Sequence, residues 1–153
     1  MSWQPGRAEI LAALRRGQLQ QVSGGQAAGD GWLADARRKC VTARLIADAD
    51  PESAYVTGYD AARFALVGVL AQQGLRSTQK GGHLAVEHAI RAQFGTNFAA
   101  FSAMRRRRAE LEYPAYPGEK VEHDELHEAL ESVEQIIAGA QKILDHLTIF
   151  TTG

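Results

Sequence analysis

The sequence predicts an all-α protein, an up-and-down helical bundle, on three observations. Apolar residues recur at helical spacing along almost the whole chain. No stretch alternates apolar and polar residues with the β-branched content of a strand. The last long segment carries Leu126, Leu130, Val133, Ile137, Ala140, Leu144 and Leu147 at steps of 4, 3, 4, 3, 4 and 3, the seam of a helix packed lengthwise against neighbours.

The elements follow in order. Arg7 to Gln20 predicts a first helix with Ile10, Leu11 and Leu14 on one side. The stretch "QVSGGQAAGDG", residues 21–31, has the small, Gly-rich composition of a flexible linker. Residues 1–29 therefore read as an N-terminal helical arm with its linker, and residues 30–153 as the bundle. Asp30 is placed to cap a second helix, which turns Trp32, Leu33, Ala36, Cys40, Ala43 and Ile46 inward and ends near Asp48.

Asp50 then suits an N-cap, and Pro51 suits the first helical position, where no amide donor is needed. The helix they start should reach Gln73. Its residues Ala54, Gly58, Ala61, Ala62, Ala65 and Gly68 leave one side thin, so neighbours can approach closely and the helix should be central. Residues 72–83 read as a loop, followed by a helix from His83 to Gln93. Gly95 to Asn97 break the chain before an arginine-rich helix over 97–112. After "YPAYPGE" the last helix runs from Lys120 to Leu147.

At 153 residues with 45% hydrophobic and 23% charged content, the chain suits one globular domain plus an appendage. Cys40 is its one cysteine, which excludes an internal disulfide and a cysteine-built zinc site. With no apolar run of membrane length and no signal-peptide core, the expected location is cytoplasmic. The charge is uneven: residues 1–112 carry net +5 and residues 113–153 net −6. That asymmetry permits either an anion-binding face or the docking of one half on the other.

The segment "MRRRRAELEYP", residues 104–114, concentrates the basic charge. At about 100° per residue, Phe101, Met104 and Leu111 define the buried side of its helix. Arg108 falls within that stripe, Arg107 at its edge, Arg105 on its flank, and Arg106 toward solvent with Glu110 four residues on. A guanidinium on an apolar stripe must pair with a carboxylate, meet another subunit or line a polar cleft. A salt bridge from Arg108 to the final helix is the plain structural expectation. Arg105, Arg107 and Arg108 are the candidate nucleic-acid contacts.

A central helix reading "ESAYVTGYDAARFALVGVLAQQGLR", then "GGHLAVEHAI", then an arginine-rich helix ending in Tyr-Pro resembles the HEPN domain superfamily, and within it compact stand-alone bacterial members. The resemblance covers about residues 30–147. It implies a homodimer, and in many members a metal-independent endoribonuclease, often a toxin paired with a nucleotidyltransferase. The family signature is an arginine followed, after four to six residues, by a histidine, with two copies meeting across an RNA cleft.

Here Arg108 is followed after "AELE" by Tyr113, and Arg106 after four residues by Leu111, with Tyr113 two places beyond. Neither register supplies the histidine. An imidazole exchanges protons near neutral pH, whereas an unperturbed phenol with a pKa of about 10 does not. Arginine alone still grips phosphate. The expectation is therefore a module that binds RNA or a nucleotide-bearing partner through an arginine-lined cleft, with nuclease activity weak or lost. Arg108 and Tyr113 are the catalytic pair if one exists. The alternatives are an active endoribonuclease toxin completed by Tyr113 or a histidine from elsewhere, and a structural adaptor if Arg108 is internally neutralised.

His83 and His88 flank the "GGH" helix; His83 reads as a helix-start residue and His88 as a polar edge. His123 and His127 in "HDELH" share a helix face at i,i+4, with His123 continuing the apolar seam. Asp124, however, stands where the zinc-protease pattern has glutamate, and no third ligand is evident, so no metal and no cofactor are expected. No phosphate-binding glycine loop is present. Tyr55, Tyr59 and Phe64 read as core, and Trp3 as an aromatic that docks on the chain's own body.

Overall fold

A computed structural model describes residues 2–153. They form six α-helices and one short ribbon: α1 (Arg7–Arg15), β1 (Leu19–Gln21), α2 (Asp30–Ile46), α3 (Pro51–Gln72), β2 (Leu75–Ser77), α4 (Gly82–Phe94), α5 (Ala100–Glu112) and α6 (His123–Leu144). The architecture is mostly helical, as expected, and α3 is its axis, packing against α2, α4, α5 and α6.

The start of α3 follows from its sequence. Asp50 Oδ1 accepts the Ser53 amide at 3.1 Å and Oδ2 accepts the Ser53 hydroxyl at 2.6 Å, while Pro51 takes the first turn. These bonds hold the Asp50 carboxyl below its ordinary range. The thin side of α3 also does what its composition implies. A Cβ on Gly29 would lie 2.4 Å from the Gly68 carbonyl oxygen, and one on Gly58 would lie 2.8 Å from Leu130 Cδ2. Gly29 thus brings the start of α2 against the α3 backbone at a distance no side chain allows, and Gly58 leaves the space that the Leu130 side chain of α6 fills.

The core runs the length of α3, with Tyr59, Ala61, Ala62, Ala65, Leu66 and Val69 fully buried. It is closed by Leu33 and Ala36 of α2, by Phe101 and Met104 of α5, and by Leu130, Val133 and Ala140 of α6. The apolar seam of α6 is buried from Leu126 to Leu144, and Leu147 lies beyond the helix but still in the core.

Several expectations are corrected. The first helix stops at Arg15 because Gly17 adopts φ +72°, so its amide and that of Gln18 turn back to Leu14 and Ala13 at 3.2 and 2.9 Å, a left-handed C-terminal cap. The segment read as flexible linker contains the end of β1 and a short 3₁₀ turn, Gly24–Gln26, and the stretch read as a loop contains β2. The two strands pair antiparallel with Leu19 opposite Ser77 and Gln21 opposite Leu75. The second helix begins at Asp30 itself, with Gly29 as its cap.

The arm is seated on the body. Ile10 and Leu19 are buried, the Trp3 ring packs tilted against Phe94 with centroids 5.1 Å apart, and its Nε1 donates to the Gln93 carbonyl at 3.0 Å. Beneath it Gln73 and Gln93, both buried, bond to each other twice through their side-chain amides, at 2.9 and 2.7 Å. No helix of the described residues is long and apolar enough to cross a membrane.

Candidate functional site

Helix α5 sends its four arginines to different places. Phe101 and Met104 are buried as its phase requires, and Arg106 is exposed, bonding to the Ser102 hydroxyl at 3.0 Å rather than to Glu110. Glu110 is taken by Arg107. That guanidinium also meets Glu119 at 2.8 Å, Glu125 of α6 at 2.7 Å and the Lys120 carbonyl at 2.7 Å. Three carboxylates raise its basicity further, those of Glu125 and Glu119 foremost. Arg107 therefore fastens the 113–122 loop and α6 to α5, and its donors are not free for a phosphate.

Arg105 pairs with Glu87 of α4. Burial pushes the Glu87 carboxyl up, but hydrogen bonds from Ser102 and Arg105 and the charges of Arg105 and His88 outweigh it and hold the group below its ordinary range. Arg108 does not reach the final helix. Its carboxylate partner is Glu112 on its own helix, at 2.7 Å, and its guanidinium carbon lies 5.8 Å above the Tyr59 ring. Tyr113 ends α5 with its side chain 78% exposed, so it is held against neither arginine helix nor core.

The structure does bring a histidine to the arginines. His83, in the first turn of α4, faces Tyr59 of α3, and the tyrosine hydroxyl lies 3.0 Å from His83 Nδ1. Tyr59 in turn stacks on Phe101 at 5.1 Å, which fixes its ring. Burial pushes the Tyr59 phenol up to about 12 against the opposing pull of Arg63, Arg108 and Arg105, so it keeps its proton near neutral pH. In the tautomer that carries its proton on Nε2, His83 accepts from that hydroxyl.

His83 titrates below its ordinary value, first because it is half-buried and then because Arg63, Arg108 and Arg105 all disfavour a further positive charge, with Asp60 opposing them. Arg63 contributes from α3, one turn beyond Tyr59. Its Nε lies 3.9 Å from Asp60, outside hydrogen-bond reach. The buried Nε atoms of Arg63 and Arg108 have no hydrogen-bond partner among the described residues. The assembled site is thus a neutral imidazole, a phenol that orients it and three guanidinium groups from two helices, two of them with an unsatisfied donor.

From the sequence Tyr59 reads as core and nothing singles out Arg63, although the two stand i,i+4 on one helix; an aromatic at core spacing gives no sign of a hydrogen-bonded partner 24 residues away. Tyr55 is core as read: it is buried and its phenol is pushed up to about 12, chiefly by that burial. Phe64 packs partly buried against the core. His88 is exposed. His123 is also exposed rather than on the apolar seam, because the seam begins at Leu126; its ring stacks 6.4 Å from that of His127, which pairs with Glu131 at 3.1 Å. No group of three or more metal-ligating side chains occurs among the described residues. Comparison of the chain with family models, with curated proteins and with solved structures finds no match in any of the three.

Proposed function

We propose that the chain is a HEPN-type helical module that binds RNA, or a nucleotide-bearing partner, through the arginines gathered around His83. The observation that supports it is the placement of the part-exposed Arg63, Arg105 and Arg108 about one half-buried neutral histidine. A phosphate set against the part-exposed outer edges of these guanidinium groups, not their buried Nε atoms, offsets the repulsion that together with burial keeps His83 neutral. Anion binding should therefore draw a proton onto His83. Arg107 plays no part in this grip, because its carboxylates already satisfy it.

Binding of single-stranded RNA should weaken steeply with salt, and Arg63→Ala or Arg108→Ala should each reduce the log–log salt slope by about 0.7, one phosphate contact. An affinity indifferent to salt rules out the grip.

Cleavage of RNA is the second function, and the proximity of His83 to the arginines favours it. In the tautomer that carries its proton on Nδ1 and donates it to the Tyr59 oxygen, Nε2 of His83 is free to take the 2′-hydroxyl proton, with arginine stabilising charge on the phosphate. The deciding experiment incubates total RNA with the protein in chelator, comparing wild type with Arg108→Ala and His83→Ala. Binding without cleavage supports the binding module. Cleavage lost in both variants makes this a metal-independent ribonuclease with His83 as its proton acceptor. Neither binding nor cleavage means that Glu112 neutralises Arg108 and that the chain is an adaptor for a protein partner.

A further inference from the structure

A second surface lies away from the arginines of α5. Helices α2 and α6 run antiparallel along it, as two side-chain rungs show. Arg37 Nη1 donates to Gln141 Oε1 at 2.8 Å, and two turns further along α2 Arg44 Nε donates to Glu134 at 2.9 Å, two turns back along α6. Between the rungs lies a groove of about 570 Å³, within the size range of small-molecule sites. Its floor is the buried Cys40 and Ile137, and its walls are the exposed Val41 and Ala138.

The two rungs differ in charge. Arg44 meets a carboxylate, so its end of the groove is neutral. Arg37 meets the uncharged carboxamide of Gln141, and no carboxylate among the described residues pairs with it. Gln141 gives its oxygen to Arg37, which leaves its Nε2 donor without a partner among the described residues. Neighbouring charges do not cancel the excess: Arg38 is taken by Asp35 at 3.2 Å, and Lys142 and Asp145 offset each other. One end of the groove thus sets a guanidinium and an amide donor side by side. From there the apolar wall runs the other way, through Val41, 60% exposed, to Leu45, 79% exposed, one turn on.

These features define a class of ligand. A carboxylate suits the Arg37 end, because its two oxygens can accept from guanidinium and amide together. An aliphatic chain suits the groove, because no aromatic ring lines it and its floor and walls are aliphatic side chains and a thiol. At about 1.5 Å of helix rise per residue the rungs stand about 10 Å apart. With carbon–carbon bonds of about 1.5 Å, shortened along a zigzag, that length holds about eight carbons.

We propose that the groove between α2 and α6 binds a medium-chain aliphatic carboxylate, its head on Arg37 and Gln141 and its tail over Cys40 and Val41 toward Leu45. The site stands independently of what the arginines of α5 bind. Cys40, on the groove floor, is its built-in reporter, since a bound chain covers it.

The test is calorimetric titration of the full chain with octanoate, 1-octanol and acetate, with the rate of Cys40 alkylation by iodoacetamide followed at each ligand concentration. Octanoate should bind with a dissociation constant of about 0.1–1 mM, the range for a ligand of roughly ten non-hydrogen atoms. It should slow Cys40 alkylation with the same half-saturation. Octanol should bind more weakly, and acetate should leave alkylation unchanged. Arg37→Gln should weaken octanoate about three- to five-fold, the size of a solvated ion pair, and leave octanol where it was. Val41→Asp should remove both, whereas Arg106→Ala, which takes a positive charge from α5 instead, should bind octanoate as wild type does. No saturable octanoate binding below about 10 mM, alkylation indifferent to octanoate, or octanol binding as tightly as octanoate overturns the proposal. So does a loss in Arg106→Ala equal to that in Arg37→Gln. If Val41→Asp misfolds, the Arg37 variant and the ligand series still decide.

Discussion

Two buried side-chain amides, Gln73 at 0% and Gln93 at 3% exposure, satisfy each other through reciprocal hydrogen bonds of 2.9 and 2.7 Å. Replacing Gln73 by the similarly shaped Met strands the Gln93 carboxamide, which then has one buried donor and one buried acceptor without their partner. At about 1–3 kcal/mol for each unsatisfied group, the single variant should lose about 2–4 kcal/mol. Gln93→Met should lose a similar amount. The double variant removes both amides together, losing three hydrogen bonds worth about 1 kcal/mol each, the reciprocal pair and the longer one from Gln73 Nε2 to the Val69 carbonyl at 3.3 Å, against a gain in apolar burial of about 2–3 kcal/mol. It should therefore fall within about 1 kcal/mol of wild type. Backbone bonds at Gln73, to Leu70 and from Phe150, do not depend on its side chain and persist in every variant. Urea unfolding followed by circular dichroism at constant m-value, closed as a double-mutant cycle, should yield a coupling of about 3 kcal/mol or more. Additive losses, or singles costing under about 0.5 kcal/mol, would show that water or rearrangement satisfies the amides and that the pair does not act as a unit.

Arg107→Ala should lower the thermal midpoint by about 2–4 °C, from a loss of about 1 kcal/mol in a partly solvated network, whereas Arg106→Ala should leave it unchanged within error. Equal losses would contradict the separate roles assigned on α5. Gly29→Ala places a methyl 2.4 Å from the Gly68 carbonyl, a backbone contact that cannot swing aside. It should cost about 1–3 kcal/mol by chemical denaturation. Because the folded-state pKa of His83 lies below its ordinary 6.5, the native state resists a proton that the unfolded chain accepts. Stability is complete above about pH 6.5, falls as pH drops through and below it, and should fall less in His83→Gln. Identical midpoint–pH curves for the two proteins between pH 7 and 5 would refute that linkage.

The helical class, the Asp50–Pro51 start and the thin face of α3 were readable because each is written within one helical turn or one face. The ribbon was not, because its strands are three residues long and bury one side chain apiece, Leu19 and Leu75, too short a pattern for alternation to register. The phase of α5 correctly sent Arg106 outward. It could not show that Arg107 would be saturated by Glu119 and Glu125, which arrive from the loop and from α6. His83 shows the same limit: read along the chain it starts a helix, and only the crossing of α3 and α4 turns it toward Tyr59. Local chemistry was legible, whereas assembly across helices was not.

The paired glutamines also determine how the molecule can come apart. The Gln93 carbonyl holds Trp3 from the N-terminal arm, the Gln73 carbonyl holds the Phe150 amide from the C-terminal tail, and Gln21 of β1 donates to the Phe150 carbonyl at 3.1 Å. Arm and tail thus share one latch. Lifting either uncovers the amides and removes contacts of the other, so the two should open as a single foldon while α2, α3 and α6 stay closed. In native-state hydrogen exchange the amides of Val22 and Phe150 should report one common opening energy below that of global unfolding.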